Sequence, residues 1–176
     1  MESTVRRLQL TAPSALVRIA ALRHSCRNSC MNIGALCSHY LIATSTGAPL
    51  SEVARLMRES HVGAVVVTEG GIDHPRVVGI ITDRDIVRSQ LGRTADLSSL
   101  SAGEAMTRDP LVLPEEESID GAIAHLRARA VRRAPVIRAD GAPVGLISAD
   151  DLLRHLAGKL SGLAGIVSRQ VQQERQ

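Results

Sequence analysis

The chain has 176 residues, 44% of them apolar, enough to bury a core in one domain or in two small units that share one. Tyr40 is its single aromatic residue, so the stacking platforms that hold single-stranded nucleic acid are missing. The formal charge of +3 comes from one end: residues 1–50 carry Arg6, Arg7, Arg18, Arg23 and Arg27 against Glu2, whereas the remainder holds 16 basic and 17 acidic residues and gives no sign of a basic face for nucleic acid.

Residues 1–30 are rich in Arg and Ser and poor in acids, a composition that resembles a transit peptide. They are read instead as an N-terminal extension, expected to be disordered, ahead of a start at Met31. Cys26, Cys30 and Cys37 lie close to His24 and His39, and thiolate and imidazole are ligands that zinc prefers. The spacing C-x3-C-x6-C lacks the paired C-x2-C knuckles of structural zinc sites, and an odd count argues against a disulfide framework. Reduced thiols without a metal are expected, which places the chain in the cytoplasm. No stretch of 18 uncharged apolar residues occurs, so no membrane span is expected.

From residue 41 the chain repeats itself, and repeats decide the fold. Leu41-Ile42-Ala43-Thr44 returns as Pro110-Leu111-Val112-Leu113. Leu50, Val53, Ala54 and Met57 fall on one helix face, and Ile119, Ala122, Ile123 and Leu126 repeat the stripe 69 residues on. Pro49 and Ser118 mark the two helix starts. The β-rich run His61–Val67 corresponds to Ala130–Ile137, and Val77-Val78-Gly79-Ile80-Ile81 corresponds to Pro143-Val144-Gly145-Leu146-Ile147. Each second strand runs into a polar turn that opens a helix, Thr82-Asp83-Arg84-Asp85 and Ser148-Ala149-Asp150-Asp151. The unit is strand, helix, strand, strand, helix. Alone it exposes too much apolar surface, so two copies are expected to pack sheet to sheet about a pseudo-twofold axis. The expected division is extension 1–30, first repeat 31–91, linker 92–104, second repeat 105–156, and a helical tail 157–176 with a polar end.

Catalytic motifs are missing. The six histidines are scattered, and neither G-x-x-x-x-G-K-[ST] nor G-x-G-x-x-G occurs. Glu115-Glu116-Glu117 precede a helix start and fit its dipole better than a carboxylate site. His125 is expected at the boundary of an amphipathic helix rather than as a general base. The two strand-to-helix turns carry more. Each presents a hydroxyl three residues before a carboxylate, Thr82 with Asp85 and Ser148 with Asp151. One such turn by itself reads as a helix cap. Its recurrence after the same Gly-apolar-apolar strand points further: a hydroxyl at a helix N-terminus can donate to phosphate, and a carboxylate one turn in can accept from ribose hydroxyls.

Gly79-Ile80-Ile81-Thr82-Asp83-Arg84-Asp85 and Val131-Arg132-Arg133-Ala134-Pro135-Val136 resemble the characteristic segments of CBS (cystathionine β-synthase-type) domains in tandem, over roughly Met31 to Leu156. Met31-Asn32-Ile33-Gly34 looks like the usual opening of short, stand-alone bacterial proteins of this kind. The resemblance implies an α/β fold of two pseudo-symmetric β-α-β-β-α repeats in a disc-like, Bateman-type module. It also implies an adenosine ligand (AMP, ADP, ATP or S-adenosylmethionine) in the cleft, and no catalytic cofactor. On that pattern Thr82 and Ser148 contact phosphate, Asp85 and Asp151 the ribose, and Arg132 and Arg133 reach phosphate. It further implies a homodimer acting on a separate, unknown client protein, with Ile86, Val87, Leu152 and Leu153 on the pairing surface. Gly63-Ala64 stands where Arg132-Arg133 stands, so the two sites are expected to be unequal. A ligand-free dimerisation module, or DNA binding through the basic tail, are the other readings.

Overall fold

The computed structural model describes residues 17–20, 31–71, 74–91 and 96–174. The expectations for His24, Cys26 and Cys30 lie outside these residues. Of the N-terminal segment, Val17–Ala20 forms β1, paired antiparallel with β2 (Tyr40–Ser45), an edge strand the sequence reading did not foresee. β2 pairs in parallel with β3 (Ala64–Glu69), and β3 antiparallel with β4 (Arg76–Thr82). The crossover from β2 to β3 is α2, Leu50–Ser60, which buries Leu50, Val53, Leu56 and Met57. α3 (Asp83–Gln90) leaves the end of β4.

The second repeat follows the same plan. β6 (Leu113–Pro114) pairs in parallel with β7 (Arg133–Ile137), which pairs antiparallel with β8 (Pro143–Ser148). α5 (Ile119–Ala128) forms the crossover, and α6 (Ala149–Gln173) leaves β8. β6 is shorter than β2 because Pro110 and Pro114 have no N–H to donate, and Asp109 takes a left-handed φ of 47° just before.

The symmetry reaches into detail. His61 and Ala130, 69 residues apart, both adopt left-handed φ (53° and 51°) just after α2 and α5. Val62 donates back to Met57 and Val131 to Leu126, so both helices close with the same six-residue loop. The registers of both hairpins slip at equivalent places, Val67/Thr68 and Val136/Ile137.

The short lead-in helices are exchanged between repeats. α1 (Ile33–Leu36) donates from Ile33 and Gly34 to the carbonyls of Glu117 and Glu115 in the second repeat. α4 (Ala102–Ala105) donates from Ala102 and Gly103 to Ala48 and Thr46 in the first. Ile33 and Cys37 accordingly complete the core around Leu113, Leu126, Val136 and Ile147, while Leu100 and Ala102 complete that around Leu50, Val53, Val65 and Ile81. Residues 100–104, expected as linker, are therefore part of the first repeat's packing.

The exchange accounts for a glycine in each hairpin. A Cβ on Gly79 would lie 2.2 Å from Met106 Sδ, and one on Gly145 2.6 Å from both Cys37 Sγ and the Ser38 carbonyl oxygen. The lead-in segments cross directly over these strands, Thr107–Arg108 as β5 pairing β4, and Ser38 bridging Leu146. The two sheets meet through Leu41, Ala43, Val66 and Val77 on one side and Leu146 on the other. β2 is consequently buried on both faces, which its unbroken apolar run requires.

Candidate functional site

Two corners, where β4 enters α3 and β8 enters α6, hold most of the residues singled out from sequence. In the first, Asp85 Oδ2 accepts from the Thr82 backbone N–H at 2.8 Å and from its hydroxyl at 2.7 Å, while the Asp85 amide donates to Thr82 Oγ1 at 3.4 Å. In the second, Asp151 Oδ2 accepts from the Ser148 N–H at 3.0 Å and its hydroxyl at 2.5 Å, and the Asp151 amide donates to Ser148 Oγ at 3.2 Å. Both are complete capping boxes. The sequence forms them because a short hydroxyl at the cap satisfies an amide of the first turn, and the acid three residues on reaches back. A hydroxyl has one proton. Thr82 and Ser148 therefore donate either to their own carboxylate or to a ligand, and a phosphate that accepts from the hydroxyl leaves the carboxylate with the backbone N–H alone.

The corners differ in their surroundings. Asp151 Oδ1 also accepts from Arg154 Nη1 at 3.0 Å. Asp85 instead lines an open cavity of about 500 Å³, with Arg88 and Ser89 on α3 and Leu100, Glu104 and Ala105 on the exchanged α4 segment. That volume lies within the range of small-ligand sites. Ser89 donates to the Asp85 carbonyl at 2.8 Å, and Glu104 accepts from the Ser101 N–H and hydroxyl at 2.8 and 2.7 Å. Arg88 and Ser89 were not singled out from sequence, although they lie three and four residues after Asp85 and so share its helix face. Leu100, Glu104 and Ala105 carry no sequence signal of this kind, because only the exchange of lead-in helices brings them there.

Neither arginine of the second repeat lines the cavity. Arg132 is 82% exposed and stands 3.8 Å from Asp150, as a solvated surface pair. Arg133 is half-buried and crosses to the other repeat: its guanidinium lies 3.5 Å from where a Gly63 Cβ would be, and Asp83 Oδ2 lies equally close to that point. A side chain at position 63 would fill the slot. Asp83 and Asp85 are two residues apart on α3 and point about 200° apart around it, so Arg133 meets the far side of the same helix N-terminus. With Asp83, Asp85, Asp150 and Asp151 at the two helix starts, a phosphate here needs cationic groups nearby to offset carboxylate repulsion.

Cys37 is buried, with His39 Nδ1 4.0 Å from its sulfur and 3.4 Å from the Val144 carbonyl oxygen. Burial, and then Glu115 and Asp151, push the thiol up to about 11. A thiol held protonated is a poor metal ligand, and among the described residues no group of three or more His, Cys, Asp or Glu could hold a metal ion. No helix among them is long and apolar enough to cross a membrane.

The CBS domain model matches the chain twice, over residues 33–92 and 102–158. The chain belongs to the CBS domain family. As a tandem CBS protein it is 33% identical over 107 residues to an uncharacterised 17.7 kDa protein of Acidianus ambivalens, covering 61% of this chain and 62% of that one. It is equally identical over 107 residues to hypoxic response protein 1 of Mycobacterium tuberculosis, covering 61% and 72%. The match to a Methanopyrus kandleri relative covers 56% of that protein, so the chain spans about three fifths of the relatives first matched. Among solved structures, the CBS domain pair of a protein in complex with 5′-methylthioadenosine and S-adenosylmethionine superposes with a TM-score of 0.64 at 21% identity, covering 74% of this chain and 99% of that one. CBSX2 in complex with AMP gives 0.60 at 20%, covering 72% and 96%. Such identities speak for the fold, which is that of a CBS domain pair.

Proposed function

We propose that this CBS pair is a non-catalytic sensor that binds an adenosine nucleotide at the strand-to-helix corners and signals to a separate protein. The observation that carries the reading is the cavity at Asp85, built where a Thr82–Asp85 capping box meets the exchanged α4. The ligand's phosphate accepts a hydrogen bond from the Thr82 hydroxyl and faces the α3 N-terminus. Asp85, which keeps the Thr82 backbone N–H and loses only the hydroxyl, accepts from the ribose hydroxyls. Arg88 on the cavity wall and Arg133 at the Gly63 slot supply positive charge from two sides. The second corner, where Arg154 holds Asp151, binds more weakly. Solved CBS pairs carrying AMP, or S-adenosylmethionine with 5′-methylthioadenosine, support the ligand class. A cytoplasmic location and pairing as a homodimer belong to the same reading. Of the four positions expected on the pairing surface, Val87 and Leu153 face outward, whereas Leu152 is buried and Ile86 packs on the first core.

A second reading has its own support. Both capping boxes are satisfied within the protein, which suits a module that keeps the fold for pairing alone. Thermal melting with AMP, ADP, ATP and S-adenosylmethionine at millimolar concentration separates the two. At about 100 times Kd, mass action adds roughly 2.7 kcal/mol, a rise of about 5–10 °C for a chain of this size. Melting curves unmoved by all four compounds would leave only the structural module.

A further inference from the structure

α6 continues far beyond the body it leaves. Leu152 is buried, but every described residue from Leu156 to Glu174 is exposed except Gly165, and at 1.5 Å per residue this stretch projects by roughly 25 Å. Its apolar side chains are not scattered. Leu153, Leu156, Leu160 and Leu163 follow one another at intervals of three, four and three residues, with Ile166 beside the end of the row. Leu153, Leu160, Leu163 and Ile166 are 63%, 67%, 61% and 64% exposed. A row with this spacing is the seam of a two-stranded coiled coil.

We propose that a second copy of the chain covers this seam, the two α6 helices lying parallel and in register. The 3-4 spacing must recur on the partner, and a second copy supplies it leucine for leucine in every layer. Parallel pairing leaves the polar end, Gln170 to Glu174, clear of both bodies. Arg154, Lys159 and Arg169, the arginines and lysine of α6, lie outside the leucine row and bring no like charges into it. Covering five such side chains on each copy removes on the order of 1,000 Å² from water, the lower limit for a specific interface. The stretch also needs a partner, since a Cβ at Gly158, Gly162 or Gly165 would meet nothing within 4 Å, so no contact within the chain calls for their lack of a side chain. Three such glycines weaken an unsupported helix, each making propagation roughly fivefold less favourable than alanine.

The proposal stands apart from nucleotide binding and names the segment for the pairing suggested above. Sedimentation equilibrium of the full chain at 1–50 µM tests it, with the double variant Leu160→Lys/Leu163→Lys and, as comparison, the single variant Val131→Lys at an exposed apolar residue outside α6. The parent and Val131→Lys are expected to be dimers. The double variant is expected to dissociate at least ~100-fold more readily, while its monomeric body still melts cooperatively and without dependence on concentration, since both leucines are exposed. A monomeric parent overturns the proposal. So does a dimer that survives in the double variant, which places the contact elsewhere and leaves pairing itself intact. Orientation is read from Leu160→Cys in a Cys26→Ser/Cys30→Ser background: mild oxidation is expected to join the two chains at position 160, and failure to do so refutes parallel register. An AMP-induced melting shift retained by the monomeric double variant shows that the two readings fail or hold separately.

Discussion

Replacing Asp85 with alanine removes the acceptor of two hydrogen bonds at once, from the Thr82 N–H at 2.8 Å and the Thr82 hydroxyl at 2.7 Å. The loss of a helix cap costs about 1 kcal/mol, up to about 2, which lowers the melting temperature by roughly 2–8 °C for a chain of this length. If Asp85 acts only as a cap, that is the whole effect. If it also accepts from ribose, AMP affinity falls by a further ten- to a hundredfold, the worth of a charge-assisted hydrogen bond at about 1.5–3 kcal/mol. Asp85→Asn separates the roles, because the amide oxygen still accepts from Thr82 while the second oxygen becomes an NH2 donor. Its melting temperature is expected to stay within about 2 °C of the parent, a shift below 1 kcal/mol, with AMP binding reduced nearly as far as in Asp85→Ala. The matching change Asp151→Asn is expected to alter AMP affinity less, since Arg154 already engages Asp151. Calorimetry with AMP and a thermal melt on each variant decide the matter. Parent-like affinity in both Asp85 variants refutes the assignment and leaves the carboxylate a cap.

Two more expectations concern the exchanged lead-in segments. Gly145→Ala forces a Cβ to within 2.6 Å of the Ser38 backbone carbonyl and is expected to cost about 1–3 kcal/mol, whereas Gly79→Ala meets the flexible Met106 side chain and costs less, an order that urea titration checks and that the reverse ranking refutes. The Cys37 thiol, raised from 9.0 to about 11 in the fold, keeps its proton longer than in the unfolded chain. Stability it contributes is therefore full below pH 9 and is lost as the pH rises toward 11, by roughly 2–3 kcal/mol. Cys37→Ala is therefore expected to flatten the decline between pH 9 and 11, and parallel pH–stability curves for parent and variant count against it.

The sequence by itself determined the repeat, because its evidence is local and doubled. Apolar stripes 69 residues apart gave α2 and α5, and the Gly-apolar-apolar runs gave β4 and β8 with a cap at the end of each. Local chemistry also fixed the capping boxes, since a hydroxyl and an acid three residues apart need only one helical turn to meet. The tertiary structure decided everything that depends on which repeat touches which. The exchange of α1 and α4 puts Leu100, Glu104 and Ala105 beside Asp85, and it sends Arg133 to Gly63 while Arg132 points to solvent. No spacing along the chain encodes these meetings, because they arise where two distant segments cross about the pseudo-twofold axis. The partial burial of Ile86 and the burial of Leu152, beside exposed Val87 and Leu153, have the same origin. All four are apolar neighbours in sequence, and only the packing of α3 and α6 on their own cores determines which of each pair remains free to meet another molecule.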